Sequence, residues 1–309
     1  MIYNTVMNSD ELTVLSEYEY IKNRDISYQS EQMMEDELIR DLCSQGYTYL
    51  KIESEKDLID NLRIQIEKLN DITFTDNEWD RFFNQTIKGK DIIGKTRMIQ
   101  EGESKQLLRR DDGSDINITL INKTNIYKNT MQVINQYEVD GSHKNRYDVT
   151  ILINGLPMVH IELKRRGVKL REAFNQIKRY QRDSFWAGSG LYEYVQIFVI
   201  SNGTESKYYS NTTRYYHSDD SPKGFYTKSD SFQFTSYWTT SKNKLIADIC
   251  DFTKTFLAKR TLLNIICKYC VLTKQNSSID RCTPCSNSVS VQTETAIRNH
   301  STAWSSINA

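Results

Sequence analysis

Residues 147–180, YDVTILINGLPMVHIELKRRGVKLREAFNQIKRY, predict a β-hairpin followed by a helix. Residues 147–153 have the two-residue period of a strand, and the same period returns over 158–164. Asn154-Gly155 between them is a typical turn signal. This order predicts an α/β fold with a mixed central sheet that is flanked by helices.

Two acidic residues and one lysine of the hairpin are expected on a common, half-buried surface. Glu162 and Lys164 share one face of their strand, and a three-residue loop would place Asp148 opposite Glu162. His160 lies on the Glu162 side, without a spacing that indicates a metal ligand. Carboxylates and an ammonium are costly to bury together unless another charge lies between them. Mg²⁺, which prefers oxygen ligands, would supply that charge, and Lys164 would orient or deprotonate the attacking water.

Asp148 and Glu162-Leu163-Lys164 resemble the D-(x)n-E-x-K signature of the PD-(D/E)xK nucleases, with Tyr147 in place of the proline before the first acid. Gln176 and Tyr180, four residues apart on the predicted helix, resemble the Q-x-x-x-Y element of some of these enzymes. With the phrases NGLPMVHIELKRRGV, AFNQIKRY and VQIFVISNG, the chain resembles the amino-terminal nuclease domain of a type I restriction enzyme R subunit.

This resemblance implies a PD-(D/E)xK restriction-endonuclease-like core and a type I site-specific deoxyribonuclease that requires Mg²⁺. It implies double-stranded DNA as substrate, with the methylation and specificity subunits of a type I complex as partners. ATP is expected only for motor domains, which the chain is expected not to reach. The implied metal ligands are Asp148, Glu162 and the Leu163 carbonyl, with Glu35 of the first helix as an extra acid. The other implied site residues are Lys164, Gln176 and Tyr180 for catalysis, and Arg165, Arg166, Lys178 and Arg179 for DNA phosphates.

Charge and hydropathy limit the classes of function. The net charge is zero, but residues 162–182 carry eight basic side chains against two acidic ones. Such a segment beside two carboxylates suits a phosphodiester substrate, although a solvated helix face has the same composition. The sequence has no apolar run of about 18 residues and no signal-peptide pattern at residues 1–12, so a cytoplasmic protein is expected.

The chain is expected to divide into three parts. Residues 1–240 form the nuclease domain, with its core at about 28–210; residues 241–273 form trailing helices; and the polar residues 274–309 form a loose tail. Trp79, Phe82 and Phe83 are predicted core residues. Predicted helices cover the apolar stripe Met34, Leu38 and Leu42 and residues 58–69, 77–87, 243–256 and 259–272; further strands cover 97–110, 116–121, 131–139, 194–200 and 207–210.

Three alternatives stay open on sequence grounds. Residues 89–96, GKDIIGKT, match the P-loop pattern, and a nucleotide site there would depend on Lys95. A P-loop follows a buried strand, whereas a polar helix is predicted before residue 89 and strand-like sequence after Thr96. The second alternative is zinc at Cys267, Cys270, Cys282 and Cys285, although the first pair lies in an apolar helical run. The third is a non-catalytic remnant that binds DNA or partner subunits.

Overall fold

A six-stranded mixed β-sheet forms the centre of the computed structural model, which describes residues 5–8, 13–15, 30–90, 92–100, 104–140, 144–211, 232, 235–240 and 243–270. The strands are β1 (Thr5–Asn8), β2 (Thr13–Leu15), β3 (Thr48–Tyr49), β4 (Lys105–Arg109), β5 (Asp115–Thr119), β6 (Met131–Asp140), β7 (Lys144–Ile153), β8 (Leu156–Leu163), β9 (Ile197–Ser201), β10 (Ser206–Ser210), β11 (Trp238–Thr239) and β12 (Leu245–Ile246). The α-helices are α1 (Glu31–Ser44), α2 (Glu55–Asn70), α3 (Asp76–Phe82), α4 (Ile92–Gln100), α5 (Leu170–Asp183), α6 (Ile249–Thr255) and α7 (Lys259–Asn264).

The central sheet has the order β10-β9-β8-β7-β6-β3. The pairs β3–β6 and β8–β9 are parallel, and the other three are antiparallel. Every residue of β8 and β9 is buried, so both faces of the sheet are covered there. The prediction of a mixed sheet flanked by helices is confirmed. The predicted half-buried surface is confirmed for Asp148 and Lys164 but is wrong for Glu162, which is fully enclosed.

The register of the β7–β8 hairpin depends on a bulge. Asn154 and Gly155 have φ angles of 51° and 83°, as a two-residue turn of type I′ requires. The turn is therefore one residue shorter than the loop on which the sequence-based register depended. The pairing shifts by one place at Met158, and this extra residue restores the register that points Asp148 toward Glu162. The pairs are Ile153–Leu156, Leu152–Pro157, Ile151–Val159, Thr150–His160 and Val149–Ile161.

Local signals mark both ends of α1, one of the helices that contact β8. The Ser30 side chain caps α1 by accepting a hydrogen bond from the Met33 N–H at 3.2 Å. Gly46, with φ 89°, follows the end of this helix. The predicted stripe of Met34, Leu38 and Leu42 and the predicted aromatic residues of α3 and the next turn are confirmed as core.

The P-loop pattern does not have P-loop structure. A π-helical segment, Phe83–Lys88, precedes residues 89–96, and the second half of the pattern lies in α4. The ammonium of Lys95, which is 2% exposed, donates to Glu193 Oε2 at 2.7 Å and to the Gly190 carbonyl at 3.0 Å. These contacts bury the lysine as an internal ion pair.

Several predicted boundaries were wrong. The strand predicted from residue 97 begins only at 105, because buried Met98 and Ile99 belong to α4. The helix predicted from residue 243 begins at Ile249, where Asp248 caps it, and residues 245–246 pair with β11 instead. The strand predicted from 194 begins at 197, after the 3₁₀ helix Leu191–Tyr194. Residues 271–309, including Cys282 and Cys285, lie outside the described residues.

The remaining predicted elements are present with small shifts in their ends. The helices at 58–69 and 77–87 are α2 and α3 with its π-helical continuation, and the one at 259–272 is α7 followed by the π-helical turn Ile265–Tyr269. The strands at 131–139 and 207–210 are β6 and β10, and 116–121 corresponds to β5. Within the described ranges, no helix combines the length and hydropathy needed to cross a membrane.

Candidate active site

Asp148 on β7 and Glu162 on β8 lie together at the end of the hairpin distal to the turn. The Leu163 N–H donates to Asp148 Oδ2 at 2.9 Å, which fixes the first carboxylate against the backbone of the next strand. The Lys164 ammonium donates to Glu162 Oε1 and to the Leu163 carbonyl, both at 3.0 Å. The structure thus brings the two acids, the lysine and the carbonyl of the sequence-predicted set to one place.

Burial dominates the electrostatics of this cluster. It raises the pKa of Asp148 to about 7, and repulsion from Glu162 adds to the effect. Burial also raises the pKa of Glu162 to about 7, although Lys164 opposes this change. For Lys164, burial lowers the pKa, but Glu162 and Asp148 outweigh it and keep the pKa above its ordinary value. Lys164 is therefore a cation here, which favours charge stabilisation over proton abstraction.

An unpartnered oxygen and an unpartnered nitrogen face each other beside the cluster. Glu162 Oε2 and His160 Nε2 are buried, and neither has a hydrogen-bond partner among the residues that the structure describes. They are 3.5 Å apart. Burial lowers the pKa of His160 to about 4, so the ring is neutral at neutral pH.

The donor set fits a cation that prefers oxygen and retains water. It consists of two carboxylates and the Leu163 carbonyl, and one carboxylate oxygen, Glu162 Oε2, is free of donors in the described part of the chain. Over the same residues, no group of three or more His, Cys, Asp or Glu side chains is arranged to hold a metal. Mg²⁺ commonly takes one or two carboxylates and keeps several waters, whereas zinc sites need more protein ligands.

Glu35 lies on α1 within electrostatic range of Asp148. Its side chain is 2% exposed, and its two oxygens accept hydrogen bonds from the side-chain amides of Asn135 and Gln136 on β6. Burial raises the pKa of Glu35 against these bonds, and the charge of Asp148 raises it further. Gln136 has a left-handed φ of 53°. The predicted third acid is therefore near the cluster, held by amides.

Gln176 and Tyr180 connect α5 to the strand that carries Asp148. The Gln176 amide donates to the Tyr180 hydroxyl, and that hydroxyl donates to the Arg146 carbonyl at 2.8 Å. Tyr180 is 1% exposed, and burial together with the charge of Glu162 raises its pKa. The pair thus fixes the helix to the backbone two residues before Asp148.

The four predicted DNA-contacting residues differ in exposure. Arg165 and Arg179 are exposed, whereas Arg166 and Lys178 are half-buried. The Arg179 guanidinium lies 5.6 Å from the centre of the Tyr180 ring.

The cysteines Cys267 and Cys270 lie at the carboxyl end of the described chain. Burial raises the pKa of the Cys267 thiol to about 11 and that of Cys270 to about 12. Zinc binds thiolates, so these two environments oppose ligation.

Sequence reasoning missed the polar side chains behind Glu162. Thr150 Oγ1 lies 3.3 Å from His160 Nδ1 and 3.2 Å from the hydroxyl of Tyr192. The alternation of β8 had placed His160 on the Glu162 side. No local pattern indicated Tyr192, which reaches the strand from a 3₁₀ helix.

Over residues 28–217, the sequence matches the protein family described as type I restriction enzyme R protein N terminus. The type I restriction enzyme EcoprrI endonuclease subunit of Escherichia coli is 44% identical over 269 residues, which are 86% of this chain and 82% of that protein. The SsaAORF53P endonuclease subunit of Staphylococcus saprophyticus is 38% identical over 255 residues, or 81% of this chain and 25% of that protein. The SauCOLORF180P endonuclease subunit of Staphylococcus aureus is 38% identical over 252 residues, or 80% of this chain and 25% of that protein.

Proposed function

Since the chain belongs to the family of type I restriction enzyme R protein N-terminal regions, we propose that it is a metal-dependent endonuclease with a PD-(D/E)xK core. The reaction is hydrolysis of phosphodiester bonds in double-stranded DNA. The observation that carries the proposal is the linked cluster around Leu163: Asp148 accepts from the Leu163 N–H, and Lys164 donates to both the Leu163 carbonyl and Glu162. A buried group of this kind is expensive to maintain unless its charges are used.

The roles follow from the chemistry of the groups. Asp148, Glu162 and the Leu163 carbonyl would hold Mg²⁺, which would lower the pKa of water and neutralise phosphate charge. Lys164 is a cation that donates one hydrogen bond to Glu162 and one to the Leu163 carbonyl. It orients the attacking water and stabilises the negative charge that develops on the phosphate oxygens. Glu35 adds negative charge near Asp148 and is a candidate additional ligand.

The surroundings of the cluster suit a DNA backbone. Arg165 and Arg179 are exposed near it, and with Arg166 and Lys178 they would neutralise phosphates. Gln176 and Tyr180 hold the strand that carries Asp148 and orient the site.

The chain spans only a quarter of the length of the two staphylococcal relatives. The activity of a whole R subunit is therefore a second proposal, apart from the one for this chain. That protein would act with methylation and specificity subunits, and its ATP requirement would arise outside this chain. Lys95 is buried in an ion pair with Glu193 and is not assigned to nucleotide binding.

A plasmid-nicking assay tests the proposal. The purified 309-residue chain is incubated with supercoiled DNA in Mg²⁺ or in EDTA, beside Lys164→Ala and Lys254→Ala. Lys254 is a matched control because it is also largely buried and lies 3.8 Å from an acid, Asp41, on α1. We expect Mg²⁺-dependent nicking by the wild type and the control, and a loss of about 100-fold or more in Lys164→Ala.

Two outcomes would contradict this assignment. Cleavage by Lys164→Ala at the wild-type rate would remove Lys164 from the reaction. Tight DNA binding by a wild-type chain that never nicks in Mg²⁺ would favour the alternative, a non-catalytic module that binds DNA or partner subunits. Circular dichroism of each variant verifies that the fold is retained.

A further inference from the structure

A buried row of polar groups extends from Glu162 into the aromatic core behind it. The row consists of Tyr192, Thr150, His160 and Glu162, which are exposed by 4%, 1%, 0% and 0%, respectively. Their successive polar atoms are 3.2, 3.3 and 3.5 Å apart. The first two contacts are hydrogen bonds, and the third joins the two atoms that lack a partner among the described residues.

One direction of these hydrogen bonds gives every polar atom of the row a partner, because a carboxylate oxygen such as Glu162 Oε2 can only accept from His160 Nε2. Burial raises the pKa of Tyr192 well above its ordinary value, so its hydroxyl keeps a hydrogen to donate to Thr150 Oγ1. The Thr150 hydroxyl then has its own hydrogen available for His160 Nδ1. A neutral imidazole that accepts at Nδ1 carries its hydrogen at Nε2. That nitrogen lies 3.5 Å from Glu162 Oε2.

The His160 ring has little freedom to turn away. Tyr147, Tyr180, Phe185 and Phe198 surround it, with ring centres 5.5, 6.0, 5.6 and 6.4 Å from its own. All four contacts have edge-to-face geometry, which aromatic rings favour. The position of Nε2 is thus determined by packing as well as by the hydrogen bond to Thr150.

We propose that His160 is a positioning residue, which orients Glu162 for metal binding through a directed row of hydrogen bonds from Tyr192 and Thr150. This inference rests on the proposed metal-dependent function. Partners of this kind, one step removed from a metal, orient its ligands, and their loss commonly weakens metal binding by about 10–100-fold. Lys164 constrains the other carboxylate oxygen, so the two together hold both oxygens of Glu162.

The first experiment needs no metal. The four histidines of the full chain are labelled with ¹⁵N, and the His160 signals are assigned by their absence in His160→Gln. We expect the neutral tautomer with its hydrogen on Nε2, and a larger share of the other tautomer in Thr150→Val. Detection of the hydrogen on Nδ1 in the wild type would overturn the proposed direction of the row.

The second experiment measures Mn²⁺ affinity by electron paramagnetic resonance, with Mn²⁺ in place of Mg²⁺. His160→Leu should weaken binding by about 10–100-fold and His160→Gln, which retains a donor nitrogen, by less. Thr150→Val should weaken it by about threefold or more, and Thr150→Ser, which restores the hydroxyl, should recover it. Thr253→Val is the control, because the equally buried Thr253 hydroxyl donates to the Ile249 carbonyl within α6.

The outcomes separate this inference from the proposed function. If Glu162→Gln loses Mn²⁺ binding while His160→Leu and Thr150→Val bind within about twofold of the wild type, the inference alone is overturned. Wild-type binding that Glu162→Gln does not weaken would overturn the metal site and the inference together. An equal loss of Mn²⁺ affinity in Thr253→Val would also refute the proposed role of the row, because the loss would then come from a general effect on stability. Where His160→Leu does not fold, Thr150→Val and Tyr192→Phe decide the question, since each removes a single hydroxyl from the row.

Discussion

Glu162→Gln should stabilise the metal-free chain, because an ionised Glu162 is costly in its present surroundings. The side chain is 0% exposed, and its pKa rises from 4.5 to about 7. Each pKa unit corresponds to about 1.4 kcal/mol, so the ionised carboxylate destabilises the fold by about 3 kcal/mol well above pH 7. Glutamine has nearly the same shape and carries no charge. We expect Glu162→Gln to gain up to about 3 kcal/mol of unfolding free energy at pH 8.

The effect should depend on pH with a definite sign. The folded chain binds the proton of the Glu162 carboxyl more tightly than the unfolded chain does, because the pKa of Glu162 is higher in the folded state. The contribution of the protonated carboxyl to stability is therefore complete below pH 4.5 and is lost as the pH rises through about 7. At pH 5.5 the wild type retains most of the proton, and the advantage of Glu162→Gln should shrink to about 1 kcal/mol.

Urea denaturation in EDTA at both pH values measures these differences. Glu78→Gln is the matched control, because Glu78 is 1% exposed and its Oε1 lies 2.9 Å from Arg110 Nε and accepts from the Asp111 N–H. That substitution breaks a satisfied ion pair and should destabilise the chain by about 1–3 kcal/mol at pH 8. A Glu162→Gln chain no more stable than the wild type at pH 8 would show that the ionised Glu162 is not costly to the fold.

Three further predictions concern stability and ligands. Lys95→Ala should lose about 3–5 kcal/mol of stability by breaking a buried ion pair. A fluorescent ATP analogue should bind neither the wild type nor this variant. Binding to the wild type that disappears in Lys95→Ala would restore the P-loop interpretation. Gly155→Ala should lose about 2 kcal/mol or more in thermal denaturation, because its φ is 83° and a Cβ would lie 2.6 Å from Leu62 Cα. Gly167→Ala, with φ 86° and no described atom within 4 Å, should lose only about 1 kcal/mol, and equal losses would exclude the contact as the cause. Cys270→Ala should leave the zinc content of the dialysed chain unchanged and far below one ion per chain, and stoichiometric zinc lost in this variant would contradict the burial argument.

Local chemistry made much of this fold predictable. Ser30 marks the start of α1 through its side-chain cap, and Gly46 marks its end through a positive φ angle. Neither signal depends on a distant contact. Asn154-Gly155 marks the hairpin in the same way. The proximity of Asp148 to Glu162 was predicted as well, although the bulge at Met158, which no local signal indicated, supplies the register.

Tertiary packing decided what the sequence pattern missed. Met98 and Ile99 extend α4 beyond Thr96 because they are buried in the core, although strand-like sequence follows. Glu162 is fully enclosed because both faces of the sheet are covered at β8. The two-residue alternation of a strand sequence cannot reveal that both faces are covered. Tyr192 reaches Thr150 from a position 42 residues along the chain, so the row behind Glu162 depends on the finished fold. The catalytic roles of Lys164 and the other site residues stay predictions.

The Met158 bulge sets which residue of β8 lies opposite Asp148. If the bulge were smoothed out, so that Met158 paired with Ile151, every later position of β8 would slide by one place, and Ile161 would take the location that Glu162 occupies now. Deletion of Met158 would instead remove only the residue that has no partner, and Glu162 would stay where it is. A hairpin one residue shorter, with a regular ladder, would therefore present the same acid, whereas a hairpin of the present length needs its bulge.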